Sequence, residues 1–248
     1  MIKTLQSMKT LNVLTLKITN KYSAEYVNRL YKNLKKHTTI KFNFFCYTED
    51  ANGLDEEIQV IPLVERDDIK RQWYKIDFHN MPQFQGEKCL ILDIDVIPIA
   101  NIDSILRYDL PDNYFGGYRI WWWFTNSRLI SGGFQMFYQG QTKYLYDLFN
   151  QDPLGWQEYY ILKGEAEPPV NGEQNFVTHN CPIPIIEFPR HEYVKYAERT
   201  LNRIKGIWKQ FEKDDYMVNG KFNDKIKLVH FANSNNYIEN DILGRNIW

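Results

Sequence analysis

The sequence predicts one α/β domain built on a largely parallel β-sheet. Short apolar, β-branched segments alternate with segments in which apolar residues recur at helical spacing, and this alternation is typical of strand–helix–strand crossover units. The length of 248 residues suits a single domain. Neither an internal repeat nor a linker rich in glycine or serine divides the chain, so we expect residues 1–248 to form one unit.

The first half of the chain carries the clearest periodic pattern. Leu11–Thr19 is apolar and β-branched and predicts a buried first strand. Ala24–Lys36 has apolar residues at helical spacing and predicts the first helix. The next segments predict two strands, a helix that Pro82 ends, and a central strand: Lys41–Tyr47, Ile58–Leu63, Ile69–Asn80 and Lys88–Leu92.

The second half predicts shorter elements. Three helices are expected, the first with Asn101 as its N-cap: Asn101–Leu106, Thr142–Phe149 and Glu173–Thr178. Four strands are expected: Tyr114–Tyr118, Gly133–Tyr138, Ile185–Phe188 and Lys225–Phe231. Gln151–Val170 holds three prolines and little periodicity, so it predicts a surface loop.

Composition and charge narrow the functional class. Hydrophobic residues make up 44% and charged residues 25% of the chain, as in globular proteins. The net charge of -1 does not indicate a nucleic-acid binder, which needs a basic surface. The three widely spaced cysteines argue against a disulfide framework or a zinc site. With no signal-like or membrane-spanning apolar run, we expect a soluble protein in a reducing compartment, the cytoplasm.

The strongest local signal is the segment Leu90–Ile97, whose letters are LILDIDVI. An apolar strand leads into Asp93 and Asp95, and residues two apart on a strand point to the same face. Ligands bind at the carboxyl ends of strands in open α/β sheets. Two carboxylates there repel each other unless a divalent cation such as Mg²⁺ or Mn²⁺ lies between them. The alternative is a pair of turn or capping carboxylates before Asn101.

The stretch Lys88–Leu106 resembles the metal-site segment of the retaining glycosyltransferases of family 8. Asp93 and Asp95 match the metal-binding pair of that family, and Ala100–Asp103 matches the "ANID" pattern that follows it. The resemblance implies a GT-A fold, that is, a Rossmann-like, mostly parallel central sheet flanked by helices. It also implies a Mn²⁺ or Mg²⁺ cofactor, with Ile94 in the donor site.

Four further segments resemble family elements in the same order. Thr19, Asn20 and Tyr22 resemble the element around the nucleobase and ribose. Ser131 and Gly132 match the strand near the donor sugar, and Glu173 and Gln174 match the element beside the anomeric carbon. His230 matches the third metal ligand. On residues alone, His230 could equally be a structural histidine, and Glu173 a first-turn helix residue.

Cationic and aromatic segments add two expectations. Lys75 and Arg71 resemble a family position that binds a carboxylate or a phosphate, although solvated surface charge would explain them too. Trp121–Phe124 contains three consecutive tryptophans, which cannot all face one core. We expect this segment either to form an acceptor-sugar platform or to pack beneath the loop at 151–170.

The resemblance implies transfer of a hexose from a nucleotide-sugar, a UDP-hexose, to a saccharide or glycoconjugate acceptor, with retention of configuration. The sequence also departs from the family. His230 is not followed by Gly-X-X-Lys-Pro-Trp, whose lysine contacts the diphosphate. Glu173 stands where the family has Asp, and Ile130 where it has Asn. These departures affect the expected donor more than the expected fold.

Two other functions fit parts of the sequence. A phosphohydrolase of the haloacid dehalogenase type also begins with an apolar strand and Asp-X-Asp, and Asp93 would be its nucleophile. Its pattern usually opens the chain, whereas two strand–helix units precede Asp93 here. A non-catalytic sugar-binding module would account for the altered segment after His230 and for Glu173.

Overall fold

A seven-stranded β-sheet forms the centre of the computed structural model, which describes residues 10–18, 22–120, 129–162, 172–195, 201–204, 207–210, 217–218, 221–222 and 224–231. The strands of this sheet are β1 (Leu11–Lys17), β2 (Asn43–Thr48), β3 (Gln59–Pro62), β4 (Lys88–Leu92), β6 (Phe115–Arg119), β7 (Ile130–Tyr138) and β8 (Ile185–Glu187). Their order is β3-β2-β1-β4-β7-β6-β8. Only β7 runs antiparallel to its neighbours, so the largely parallel sheet predicted from the sequence is confirmed.

A second, three-stranded sheet lies beside the end of β4. It consists of β5 (Val96–Pro98), β14 (Leu228–His230) and β9 (Tyr193–Lys195), with β14 in the middle. The sequence predicts β14 but not β5, because three residues after a turn show no alternation that a strand pattern could reveal. Two antiparallel pairs complete the described strands: β10 (Leu201–Ile204) with β11 (Ile207–Gln210), and β12 (Met217–Val218) with β13 (Lys221–Phe222).

Strand β4 is central, as its apolar sequence predicts, and it is buried on both faces. Its side chains alternate between two apolar clusters: Leu90 and Leu92 pack in one, and Cys89 and Ile91 pack in the other. All four are fully buried. β4 has a parallel partner on one side and an antiparallel partner on the other, and helices or strands cover both of its faces. Such a strand needs a continuous apolar run.

Helices cover both faces of the sheet. The helix α1 (Ala24–His37) buries Tyr26, Val27, Leu30 and Leu34 on the first cluster. On the second cluster lie a 3₁₀ helix (Arg71–His79), a short 3₁₀ turn (Pro82–Phe84), α3 (Lys143–Phe149) and α5 (Glu173–Asn180). Two short segments, α2 (Asp103–Leu106) and a 3₁₀ turn (Arg190–Glu192), connect strands. None of the helices in the described ranges has the length and apolar character needed to cross a membrane.

The prediction of a surface loop over Gln151–Val170 is wrong for Pro153–Leu162, which forms the helix α4. Residues 163–170 of the predicted loop lie outside the described residues. Proline is accepted at a first helical position, where its missing N–H has no partner to lose. The Asp152 carboxylate accepts a hydrogen bond from the Gly155 N–H at 2.9 Å and caps this start. The buried side of α4 includes the polar Gln157, so apolar periodicity is weak and gave no helical signal.

His79 is a buried histidine on the second face of the sheet, between Phe115 and Phe137. Its Nδ1 lies 3.0 Å from Thr142 Oγ1, whereas the buried Nε2 has no hydrogen-bond partner. Burial lowers the pKa of His79 to about 3. The imidazole therefore stays neutral in the folded protein at a pH where it is protonated in the unfolded chain.

We expect His79 to make folding sensitive to acid. Below the unfolded-state pKa the unfolded chain binds a proton that the folded protein excludes, so the free energy of unfolding falls by about 2 kcal/mol from pH 8 to pH 5 through this one group. Replacing both partners in a His79→Phe/Thr142→Val variant should remove that component. Urea unfolding monitored by circular dichroism at several pH values measures it. The exposed His191→Gln variant is the control and should keep the wild-type pH dependence; equal dependence in all three proteins would contradict the prediction.

Candidate active site

The two aspartates of the LILDIDVI segment lie where the chain leaves the sheet. β4 ends at Leu92, and β5 begins at Val96. The Asp93 N–H donates to the Gly133 carbonyl at 3.1 Å, and the Val96 N–H donates to the Asp93 carbonyl at 2.9 Å. These bonds turn the chain sharply at the carboxyl end of β4 and leave both carboxylates at that edge. The expected change from strand to turn is therefore present.

His230 reaches the aspartates through the small sheet. β14 pairs antiparallel with β5 and places His230 opposite Val96, and the Phe231 N–H donates to the Asp95 carbonyl at 2.8 Å. As a result, His230 Nε2 lies 3.4 Å from Asp95 Oδ1. One donor atom from each of Asp93, Asp95 and His230 lies within 4.8 Å of the other two. Two carboxylate oxygens and an imidazole nitrogen are a donor set that can hold a divalent metal ion.

Lys75 is a buried cation between three elements of the site. From the 3₁₀ helix its Nζ donates to Asp93 Oδ1 at 3.0 Å and to the Gly132 carbonyl at 3.1 Å, and it lies 3.0 Å from Glu173 Oε2. Burial alone would lower the pKa of Lys75, but the carboxylates of Asp93 and Glu173 raise it above its ordinary value. The ammonium therefore stays charged and fixes the position of Asp93.

Glu173 is enclosed at the start of α5. Only 3% of its surface is exposed. While Oε2 contacts Lys75, Oε1 accepts a hydrogen bond from Gln135 Nε2 at 3.0 Å. Burial raises the pKa of Glu173, and the charge of Lys75 opposes that rise. Glu173 is thus linked to Asp93 through Lys75.

The backbone of Gly132 joins α5 to β7. Its N–H donates to Gln174 Oε1 at 3.2 Å, while its carbonyl accepts from Lys75. A Cβ at this position would lie 2.8 Å from Glu173 Oε2 and 3.2 Å from Lys75 Nζ. The close approach of α5 and the 3₁₀ helix to β7 therefore requires a residue without a side chain.

A cavity of about 430 Å³ opens beside the aspartates, which is a suitable size for a small organic ligand. Residues from the ends of β1 and β4 and from the 3₁₀ helix line it: Leu16, Ile18, Tyr22, Arg71, Gln72, Lys75, Asp93, Ile94 and Asp95. Six of these residues are predicted site residues, whereas Leu16, Ile18 and Gln72 are of types that carry no chemical signal in the sequence. Parallel neighbours β1 and β4 end at the same edge, which is why their termini share this cavity.

Two residues of the cavity have unusual local environments. Tyr22 donates a hydrogen bond to Asp95 Oδ2 over 3.4 Å. Burial, followed by the charges of Asp95 and Asp93, raises the pKa of Tyr22, so its hydroxyl remains a donor. Arg71 is exposed and has a backbone φ of 50°, in the left-handed region that non-glycine residues rarely adopt. Such strain is concentrated at ligand sites, where the surrounding structure maintains it.

The remaining predicted site residues fall into two groups. Ser131 is buried, and its Oγ lies 2.9 Å from the hydroxyl of Tyr193; Gln174 is half-buried beside Gly132. Thr19 and Asn20 lie outside the described residues, as does Trp121–Phe124. Tyr193 and Gln135 were not predicted. A glutamine inside an apolar strand was the one available signal for Gln135, and nothing in the sequence marks Tyr193.

Charge at the site favours a cation. Asp93, Asp95 and Glu173 supply three carboxylates, and Lys75 supplies one ammonium among the described groups in contact with them. Where a divalent cation binds such carboxylates, it is often the largest local charge of the site.

The chain is similar to known proteins in structure but not in sequence. No protein-family model and no curated protein sequence matches the chain. Among solved structures, the glycosyltransferase GlyE of Streptococcus pneumoniae TIGR4 is similar over 74% of this chain and 46% of that one, at 14% identity and a TM-score of 0.47. The chain thus spans less than half the length of GlyE.

The galactosyltransferase LgtC provides the other similar structures. A complex of LgtC with donor and acceptor sugar analogs has a TM-score of 0.50 at 11% identity, and an active-site mutant of LgtC has a TM-score of 0.51 at 12% identity. Each covers 74% of this chain and 75% of LgtC. At such low identity the likeness concerns the fold. The chain has the GT-A fold of these glycosyltransferases, with its mostly parallel sheet flanked by helices.

Proposed function

We propose that this protein is a metal-dependent glycosyltransferase that moves a hexose from a UDP-hexose to a saccharide or glycoconjugate acceptor with retention of configuration. The observation that carries the proposal is the convergence of Asp93, Asp95 and His230 within 4.8 Å at the edge of the cavity. This edge is the carboxyl end of a parallel strand, where open α/β sheets bind ligands. The LgtC structure of the same fold was solved with donor and acceptor sugar analogs.

Asp93, Asp95 and His230 are proposed to hold one Mn²⁺ or Mg²⁺. When bound, such an ion stabilises the negative charge that grows on the departing diphosphate. Lys75 keeps the Asp93 carboxylate at the cavity edge, and Glu173 keeps Lys75 charged. We infer that the main role of Glu173 is to position Lys75, because both of its oxygens are engaged by Lys75 and Gln135.

The donor is proposed to lie along the cavity from Tyr22 toward Gln174. Tyr22, with Thr19 and Asn20, would surround the nucleobase and ribose, and the apolar Leu16 and Ile18 would contact the base. Ile94, Ser131 and Gly132 belong to the donor-sugar side. Gln174, held by the Gly132 N–H, would lie below the anomeric carbon. An amide oxygen is a weak nucleophile, so it would stabilise a short-lived oxocarbenium ion rather than form a lasting covalent bond.

Asp93→Asn and Asp95→Asn should each abolish the Mn²⁺-dependent part of UDP binding. Each substitution removes one anionic ligand while keeping the shape of the side chain, and Asp95→Asn leaves the Lys75 contacts intact. In wild type, a hundredfold excess of ligand over its Kd should add about 2.7 kcal/mol of stability. Thermal unfolding with and without Mn²⁺ and UDP measures the effect.

Asp147→Asn is the matched control for the aspartate variants, since it changes an exposed carboxylate on α3 that pairs with Lys143. It should behave as wild type. If both site variants bind UDP in the presence of Mn²⁺ as tightly as wild type does, Asp93 and Asp95 are not metal ligands and the proposed function loses its main support.

Arg71→Ala should weaken UDP binding about tenfold or more. Arg71 lines the cavity next to the carboxylates, and a charge-assisted hydrogen bond to phosphate contributes about 1.5–3 kcal/mol. Isothermal titration calorimetry with UDP and Mn²⁺ tests this. Lys70→Ala removes a neighbouring exposed charge that does not line the cavity, so it reports on long-range attraction alone. Equal losses in the two variants would exclude a direct phosphate contact by Arg71.

Gln174→Ala should lower kcat far more than it raises the Kd of the donor. That pattern marks an interaction made mainly in the transition state. Steady-state kinetics and donor titration measure the two quantities, and Gln83→Ala, at an exposed position, is the control. Proton NMR of the product tests stereochemistry separately. A β-linked product from an α-linked donor would defeat the assignment of retention whatever the mutant kinetics show.

A further inference from the structure

A chain of hydrogen bonds runs from His230 into the protein interior. His230 Nδ1 lies 2.8 Å from the hydroxyl of Tyr193. That hydroxyl lies 2.9 Å from Ser131 Oγ, which accepts a further hydrogen bond from the Gly133 N–H at 3.2 Å. Tyr193 is fully buried, and Ser131 is 1% exposed. The imidazole is therefore held through Nδ1, and its other nitrogen, Nε2, faces Asp95.

The small sheet sets this geometry. β9 and β14 are parallel, and Tyr193 pairs with Leu228, two residues before His230. Because residues two apart on a strand share a face, Tyr193 and His230 lie on the same side of the sheet. β7 passes close by: a Cβ on Gly133 would lie 2.9 Å from the Tyr193 hydroxyl and 3.1 Å from His230 Cε1. A side chain at position 133 would therefore keep β7, and with it Ser131, away from the Tyr193 hydroxyl.

The ring of Tyr193 is fixed by stacking. The rings of Tyr118 and Tyr193 have centroids 4.9 Å apart and an angle of 10° between their planes. The Tyr118 hydroxyl itself donates to Glu192 Oε2 at 3.2 Å, away from His230. The position of the Tyr193 hydroxyl thus depends on packing and not on its hydrogen bonds alone.

The two nitrogens of His230 face different groups. Nδ1 faces Tyr193, and Nε2 faces Asp95 Oδ1 at 3.4 Å. A neutral imidazole carries its hydrogen on one nitrogen only. In one tautomer Nε2–H donates to Asp95, and no lone pair is available there for a cation. In the other, Nδ1 carries the hydrogen and the Nε2 lone pair points toward the aspartates.

We propose that Tyr193 is a positioning residue that selects the metal-binding tautomer of His230. Its oxygen accepts the Nδ1–H of His230, and its own hydrogen is donated to Ser131 Oγ. Exchange of one tautomer for the other leaves the number of protons unchanged, so the selection requires no acid or base. This inference rests on the proposed function, because it assumes that His230 binds a cation through Nε2. Groups that orient a metal-bound histidine typically change metal affinity about 10–100-fold when removed.

The test uses Tyr193→Phe with Tyr118→Phe as its matched control. Both variants lose one buried tyrosine hydroxyl and keep the stacked rings, but only Tyr193→Phe removes the acceptor of the Nδ1–H. Mn²⁺ titration followed by electron paramagnetic resonance should show a Kd about 10–100-fold higher in Tyr193→Phe and close to wild type in Tyr118→Phe. In the Mg²⁺-loaded protein, ¹⁵N NMR should find His230 with hydrogen on Nδ1 in wild type and a shift toward the other tautomer in Tyr193→Phe.

The outcomes separate the inference from the proposed function. If wild type binds no Mn²⁺, or binds it equally well after Asp95→Asn, the proposed metal site fails. If wild type binds Mn²⁺ through Asp95 and Tyr193→Phe matches the affinity and tautomer of wild type, the role of Tyr193 is overturned. Should Tyr193→Phe lose its fold by circular dichroism, Ser131→Ala replaces it. That variant removes the acceptor of the Tyr193 hydrogen and should weaken Mn²⁺ binding in the same direction; unchanged binding there would likewise overturn the inference.

Discussion

The ammonium of Lys75 lies at a point where four elements meet, and the site is organised around it. A buried charge is tolerated only when partners replace the water it has lost. Here the partners are Asp93 after β4, the Gly132 carbonyl on β7 and Glu173 at the start of α5. Because each partner comes from a different element, the requirement to neutralise one charge also fixes how those elements pack. The carboxylate at the cavity edge is held by the same bonds.

Chain direction explains which atoms reach this edge. The parallel strands β1 and β4 deliver their carboxyl ends, whereas the reversed strand β7 delivers its first residues. Ser131, Gly132 and Gly133 therefore lie beside Asp93, and β7 contributes peptide groups and a hydroxyl where the end of β4 contributes carboxylates. The small sheet adds the imidazole from outside the main sheet, through the pairing of β14 with β5.

The sequence predicted the sheet, most helices and the aspartate pair, because each of these has a local signature. An apolar strand followed by two carboxylates indicates a cation site within eight residues of sequence. His230 and Lys75 were identified by resemblance, and their contacts could not be deduced because they depend on tertiary packing. Tyr193 gave no signal, since a tyrosine in a three-residue strand looks like any other. The helix α4 was missed because polar side chains such as Gln157 are satisfied internally, which removes the usual pattern.

The distribution of the site along the chain has a consequence for biosynthesis. Asp93 and Asp95 belong to the middle of the sequence, but His230 belongs to β14, the last strand that the structure describes. During synthesis, a chain whose strands β1 through β7 have already left the ribosome contains Asp93, Asp95 and Lys75 but not yet His230. A contact between residues so far apart in the chain closes a long loop, which costs conformational entropy. A nascent chain therefore gains the full set of three residues only once β14 has been synthesised and pairs with β5.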